Sequence, residues 1–507
     1  MGVKRWRAAI LAALLWPNWV MAQDVMLTSR DGSLSLPGTL VGYDGEFYRI
    51  ETSYGRLTVD GQSVICEGPA CPDLIAPKAI IRIEGAKDAG IALLPRLIAG
   101  FANASGLDQA APAERGQFTA LTDPATGKVL AEISFMPTTA EVAVADLSAG
   151  KVEMVVATVP KPEFRSRVLA LDALVPIVAM DNPVPRISTT DLARALAGDV
   201  TNWVQIGGPD MPVVLHAMAP NSDLQRALSA RLGRDVVAAV THPDLEVLAE
   251  AVASDPWALA VTGQSHVGAA RSLPLTDSCG FALFPSALAV KAEDYPLTVP
   301  VLLLTPRHRL SLIAREFIDY LSTPDAQAII AAAGYVDQAV ESRSVAGNGD
   351  RLLAAIKGAG EETTLADLQG LTRAMEGAER LSLTFRFDDG SDAMDAHSQQ
   401  NLTDLARLIE AGLFKGKALS LVGFSDGSGA ALANYDLSLS RARIVLAALK
   451  AAAPDAPETA LPGVMAFGEV MPMACDETAA GRRLNRRVEL WVRPDFIQRS
   501  VRDSPAP

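Results

Sequence analysis

The sequence predicts a multidomain protein of α/β and α+β character: a small N-terminal β domain, a large α/β domain and a C-terminal βαβ domain. Three observations carry this. A chain of 507 residues with 49% hydrophobic content is long enough for about three separate cores. Short alternating segments punctuated by Asp-Gly and Tyr-Gly fill residues 24–72, as in a small antiparallel sheet or barrel. From 79 to 340, and again after 380, apolar strand-like runs alternate with helical patterns.

At the N-terminus, Lys4, Arg5 and Arg7 precede an apolar stretch from Ala8 to Leu15, and Val20-Met21-Ala22 suits cleavage. Residues 1–22 therefore read as an export signal peptide. The apolar stretch is shorter than the roughly 20 residues that span a bilayer. No cysteine follows it to take a lipid. The expected location is the periplasm of a diderm, Gram-negative cell. A net charge of −14 argues against nucleic acid or an anionic membrane surface as partner.

Four cysteines fit an oxidising compartment. Cys66 and Cys71 flank a Gly-Pro turn and read as a local disulfide. Cys279 and Cys475 lie one in each large domain; a bond between them would lock those domains together, and two free thiols would leave them independent. With five histidines and none at ligand spacing near a cysteine, no metal site is expected. In the β domain, Tyr43, Phe47, Tyr48 and Tyr54 offer either an exposed recognition face or cross-strand packing, the commoner use.

In the large domain, AIIRIEGA reads as a buried strand entering a glycine turn and a long helix. VEMVVATV, VPIVAM and PVVLHAM are further short strands. The stretches 170–223, 295–306 and 314–336 resemble PstS-like phosphate-binding proteins of the type 2 periplasmic-binding-protein fold. The resemblance implies two lobes, 79–170 with 280–340 and 171–279, closing on an anion held by hydroxyls and helix N-termini. It also implies delivery of phosphate or another oxyanion to an ABC permease. The matching loops give Gly85, Ala86, Lys87, Thr158, Asn221, Ser222 and Asp223 as candidate solute contacts. They depart from the family's Gly-Ser-Gly-Thr type: Thr158-Val159-Pro160 lacks the expected serine and arginine, and Asp88 and Asp223 put negative charge where helix dipoles favour an anion. Asn221 and Ser222 also suit helix capping. Trp203 reads as lobe core, and His216 and His242 as isolated structural or surface histidines.

Residues 341–379 read as an exposed connection, SRSVAGNGD, followed by a helix with Leu365, Leu368, Leu371 and Met375 on one side: a linker with a packing face. The last domain, 380–495, opens with the strand RLSLTFRF and the helix NLTDLARLIEAGL. A strand then runs into Ser425-Asp426-Gly427, which places Asp426 at an exposed corner. In the helix that follows, Leu437, Ile444, Val445 and Ala448 mark a buried face, with Arg441 at its edge. A carboxylate and a guanidinium across one gap suit a zwitterion, the acid taking an ammonium and the arginine a carboxylate.

Ser-Asp-Gly-Ser-Gly, Asn434, Leu437-Ser438, Arg441-Ala442, then Gly481-Arg482 and Asn485-Arg486-Arg487-Val488-Glu489 resemble the signature of OmpA-like peptidoglycan-binding domains. The resemblance implies that Asp426 and Arg441 hold the diaminopimelate of the peptidoglycan stem, supported by Asn434 and Arg487. Ser425 stands where threonine is usual and keeps the hydroxyl. The tail, 496–507, is polar and contains proline, and is expected to fray. No catalytic or cofactor fingerprint stands in a suitable context, so neither enzyme activity nor a cofactor is expected. Two readings remain: a solute-binding protein held non-covalently at the wall on the outer-membrane side, or an envelope scaffold or sensor whose solute-binding fold contacts a protein.

Overall fold

The computed structural model describes residues 25–494 apart from 45, 69, 72–77, 111–117, 346–348, 361, 388–390 and 392. The expected signal peptide and tail lie outside the described residues. Among those described, no helix is long and apolar enough to cross a membrane.

The N-terminal segment forms an antiparallel sheet of five strands in the order Gly55–Asp60, Phe47–Thr52, Ser35–Tyr43, Val25–Ser29, Val64–Glu67. Alternation directs Val25, Leu27, Tyr48 and Ile50 into one small core. Tyr43 and Tyr48 are register partners with rings stacked at 4.5 Å, so two of the four aromatics pack across strands. Tyr54, at a turn, is exposed. Cys66 and Cys71 are disulfide-bonded. Asp60 ties this sheet to the next domain through Arg315 on the helix Leu312–Tyr320.

The large domain is built on one sheet in which Arg165–Val178 and Thr298–Thr305 run antiparallel through the middle. On one side come Met154–Ala157, Ala79–Gly85 and Val129–Pro137, and on the other Ala258–Gly263, Val214–Met218 and Val240–His242. The helix Lys87–Ala104 covers one core through Leu93, Leu94, Leu97 and Phe101. A second core holds Leu192, Trp203 and Leu248, and Leu283, Val290, Tyr295 and Leu297 pack into it. The resemblance groups 280–340 with the first lobe; Leu283, Val290, Tyr295 and Leu297 share this second core with Leu147 and Val155 as well as with Trp203.

The C-terminal sheet has the order Ser342–Ser344, Glu379–Phe385, Arg487–Pro494, Lys417–Phe424, Gly463–Ala466. Along Arg487–Pro494, Val488, Leu490 and Val492 face the helices Ala396–Glu410 and Ala431–Ala452, while Trp491 faces the other way. That second face is covered by the stretch expected to be a linker. Ser342–Ser344 is an edge strand, and Val345, Ala355, Leu371 and Met375 pack against Val422, Phe424 and Trp491. The described residues between 342 and 378 thus add a layer to the domain rather than a spacer. Leu365, assigned to the packing stripe, is 70% exposed because it opens its helix ahead of the first turn that meets the sheet.

The two large domains are joined by charge and by covalent chemistry. Asp294 accepts hydrogen bonds from Arg380 and Arg386, all three buried. Its neighbour Glu293 has φ +52°, a left-handed conformation that turns the loop into the C-terminal domain, where His397 lies 3.7 Å away. Cys279 is bonded to Cys475, and the Asp277 carboxylate accepts the Cys475 backbone N–H.

Candidate functional sites

At the C-terminal site, close contact between strand and helix sets the geometry. A Cβ on Gly423 would lie 2.1 Å from the Ser438 carbonyl oxygen, so the strand Lys417–Phe424 and the helix Ala431–Ala452 meet backbone to backbone. Small side chains make this possible. The buried face of the helix is Asn434, Ser438, Ala442, Val445 and Leu449; of the expected stripe Val445 is buried and Ile444 packs against the core, while Leu437 is 41% exposed. The large leucine is displaced because only small residues fit against a glycine strand.

Asp426 stands at the strand's end but is buried, at 7% exposure, rather than on an exposed corner. The reason is a cation to which the sequence reading gave no role. Arg486 donates to Asp426 Oδ2 at 3.0 Å, and the Ser428 backbone N–H donates to Oδ1. Burial alone would push the carboxyl up; Arg486 and Ser428 outweigh it and hold it below the ordinary carboxylate range. Gly427 N–H donates to Asp476, which also accepts from Asn485, and Asn485 Oδ1 accepts from the Met473 and Ala474 backbones. The loop carrying Asp426 is therefore fixed from behind.

Asn434 donates to Glu469 at 2.6 Å. Arg441, half-buried, sets its guanidinium 5.7 Å from the centre of the Phe387 ring. Arg487 is a buried framework residue: it donates to Glu489, to the Asn485 carbonyl and to the Met471 carbonyl, and burial draws its guanidinium down to about 9. The N–H of Ala431, at the helix start, is taken by the Glu362 carboxylate.

The second site is the cleft between the lobes. It is a cavity of about 50 Å³ lined by Ala86, Thr158 and Asp223 of the expected set, and by Asp88, Asp172 and Tyr335. Lys87 and Asn221 are exposed and do not line it. Gly85 has a structural duty, with φ +122° and a Cβ that would lie 2.0 Å from the Val156 carbonyl oxygen. Ser222 caps the helix Asp223–Leu232 by accepting from Gln225 N–H, and Asp223 accepts from Arg226.

Burial pushes the Asp88 and Asp223 carboxyls up, and pushes Asp172 to about 7. Asp172 accepts from Ala173 N–H and Ser265. The sequence signal for it was a lone acid in the apolar run LALDALVPIV. Away from the cleft, His216 and His242, read as isolated, meet across adjacent strands with Nδ1 and Nε2 2.9 Å apart. Parallel pairing of Val214–Met218 with Val240–His242 brings them together.

Residues 111–325 match the PBP superfamily domain and residues 386–486 match the OmpA family. Over 176 residues the chain is 28% identical to the phosphate-binding protein PstS of Bacillus subtilis (strain 168). That match takes in 32% of this chain, and it spans 55% of the length of that relative. Similar solved structures include an ABC-type phosphate transport receptor from Vibrio cholerae, with a TM-score of 0.40 at 17% identity over 50% of this chain and 99% of that one. PstS from Borrelia burgdorferi gives 0.38 at 14% identity, over 51% and 99%.

Proposed function

We propose, for a chain that joins a PBP superfamily domain to an OmpA family domain, a periplasmic binding protein held non-covalently at the cell wall. The supporting observation is the loop at Asp426, fixed by Asn485 and Asp476, with Arg441 on the helix that follows. In this reading Asp426 takes the ammonium of diaminopimelate and Arg441 its carboxylate, while Asn434 and Arg487 hold the frame. The ammonium has to share or displace Arg486, which occupies the same carboxylate in the ligand-free chain.

The test is co-sedimentation of the full mature chain with purified sacculi. Wild type is expected in the pellet, Asp426→Ala and Arg441→Ala in the supernatant, and Arg441→Lys in between, because a point charge loses the two-pronged contact. Equal pelleting of all four overturns the assignment.

Similarity to a phosphate-binding protein makes phosphate or another oxyanion the first solute to try. A specific observation favours the second reading, an envelope scaffold or sensor contacting a protein. The cleft is small and carries three aspartates, with Lys87 turned away from it. A fully ionised oxyanion would meet those acids unless they carry protons. A thermal-shift panel of phosphate, other oxyanions and small metabolites separates the two: a ligand at 100 times its Kd stabilises by about 2.7 kcal/mol. Silence across the panel supports the scaffold; a shift with phosphate restores the receptor and calls for an ABC permease partner.

A further inference from the structure

A larger cavity, of about 500 Å³, lies where the two large domains and the helix Gly349–Lys357 meet, well inside the size range of small-molecule sites. Its charged wall is one-sided. Among the described residues, Arg343, Arg351, Lys357 and Arg380 line it against one acid, Asp294. Arg380 is engaged by Asp294, and Arg351 by Glu489 behind the wall. Arg343 and Lys357 are exposed and have no acidic partner among the described residues.

Arg351 is only 7% exposed and both its terminal nitrogens donate to Glu489, so it lends the wall charge rather than a free donor. In the same lining Phe284 is 60% and Leu353 53% exposed, apolar surface that nothing among the described residues covers.

We propose that this junction cavity binds a small amphipathic organic anion, its acidic head among Arg343, Arg351 and Lys357 and its apolar body against Phe284 and Leu353. The site is separate from the interlobe cleft and from the Asp426 loop. It is built from both large domains, so its occupant bridges them and adds to the closure made by the Cys279–Cys475 bond.

Calorimetric titration of the full mature chain with 2-naphthalenesulfonate tests this, with inorganic sulfate and uncharged 2-naphthol as partial mimics. The sulfonate is expected to bind one to one, and each partial mimic about tenfold more weakly or worse. The double variant Arg343→Glu/Lys357→Glu, at two exposed unpaired positions, is expected to weaken the sulfonate about tenfold or more at an unchanged melting midpoint. Arg343→Gln/Lys357→Gln gives a smaller loss in the same direction and serves if the charge reversal disturbs folding. Asp172→Asn/Asp223→Asn, in the cleft, is expected to leave this binding unchanged. No binding of the sulfonate, equal affinity for sulfate, unchanged affinity in both junction variants, or a loss in the cleft variant each overturns the proposal.

Discussion

Asp172 shows how one side chain ties the cleft to pH. Burial raises its carboxyl to about 7, so the folded chain holds a proton there that the unfolded chain releases near its ordinary value. Folded protein therefore binds more protons between those two values, and stability falls as pH rises from about 4 to about 7 before levelling. Asp172→Asn, which keeps an acceptor and removes the charge, is expected to gain about 2 kcal/mol above pH 7 and almost nothing below pH 4. Urea midpoints across that range check it. The same argument gives any anion in this cleft a tighter grip in acid, because protonated acids donate where ionised ones repel.

Side chains of this kind divide what could be read from the sequence from what could not. Asp426, Arg441, Asn434 and Arg487 were visible as a motif because their order and spacing are local. Arg486 stood inside the same motif, but its contact spans 60 residues of chain and depends on where the helix Ala479–Asn485 ends. Asp172 is further from any local rule, since only the folding of its strand against Ser265 and Tyr335 makes it part of a site.

Between strand and helix, the tight contact at Gly423 makes a sharp prediction. Gly423→Ala puts a methyl into the Ser438 carbonyl and forces the helix Ala431–Ala452 away from the sheet. A loss of about 3 kcal/mol is expected. Denaturant unfolding of the full chain measures it, and sacculus binding should weaken in parallel because Arg441 rides on the displaced helix. Ser222→Ala removes the cap of Asp223–Leu232 and is expected to cost about 1 kcal/mol. That cap was readable from Ser222 and the pattern after it. On the longer helix Val445 faces inward as periodicity expects and Leu437 does not: the close approach at Gly423 puts Ser438 against the strand and leaves Leu437 to one side. The stretch 341–379 reads as a linker because its apolar density is low, yet Val345, Ala355, Leu371 and Met375 pack on the sheet. It needs few apolar residues because Glu489, on the sheet face it covers, is matched by Arg351 as well as by packing.

Across the domain junction, buried charges make stability depend on pH from both sides. Burial alone would pull the His397 imidazole down, but Glu293 outweighs it and raises it, with Asp395 helping and Arg386 opposing. That contribution is complete below the ordinary imidazole range and fades as pH rises through the raised value. Burial would push Glu293 up, but His397, Arg231 and Arg386 hold it below the ordinary range, so its share fades only as pH falls through that depressed value. The junction is firmest in mild acid. His397→Asn is expected to flatten the alkaline fall of the melting midpoint, as thermal scans between about pH 5 and about pH 9 would show.

The Cys279–Cys475 bond encloses 196 residues of sequence separation, and Cys279→Ser/Cys475→Ser is expected to cost about 4 kcal/mol. A calorimetric scan in which the single transition of wild type divides in two would show the domains parting.

From Ala339, whose carbonyl is held by Lys291, the backbone needs only two further residues to reach the edge strand at Ser342. Such a joint has no slack. Were the C-terminal domain held at the wall as proposed, the cleft would ride at a set height above it and with a set bearing, like an instrument on a mast rather than a float on a line.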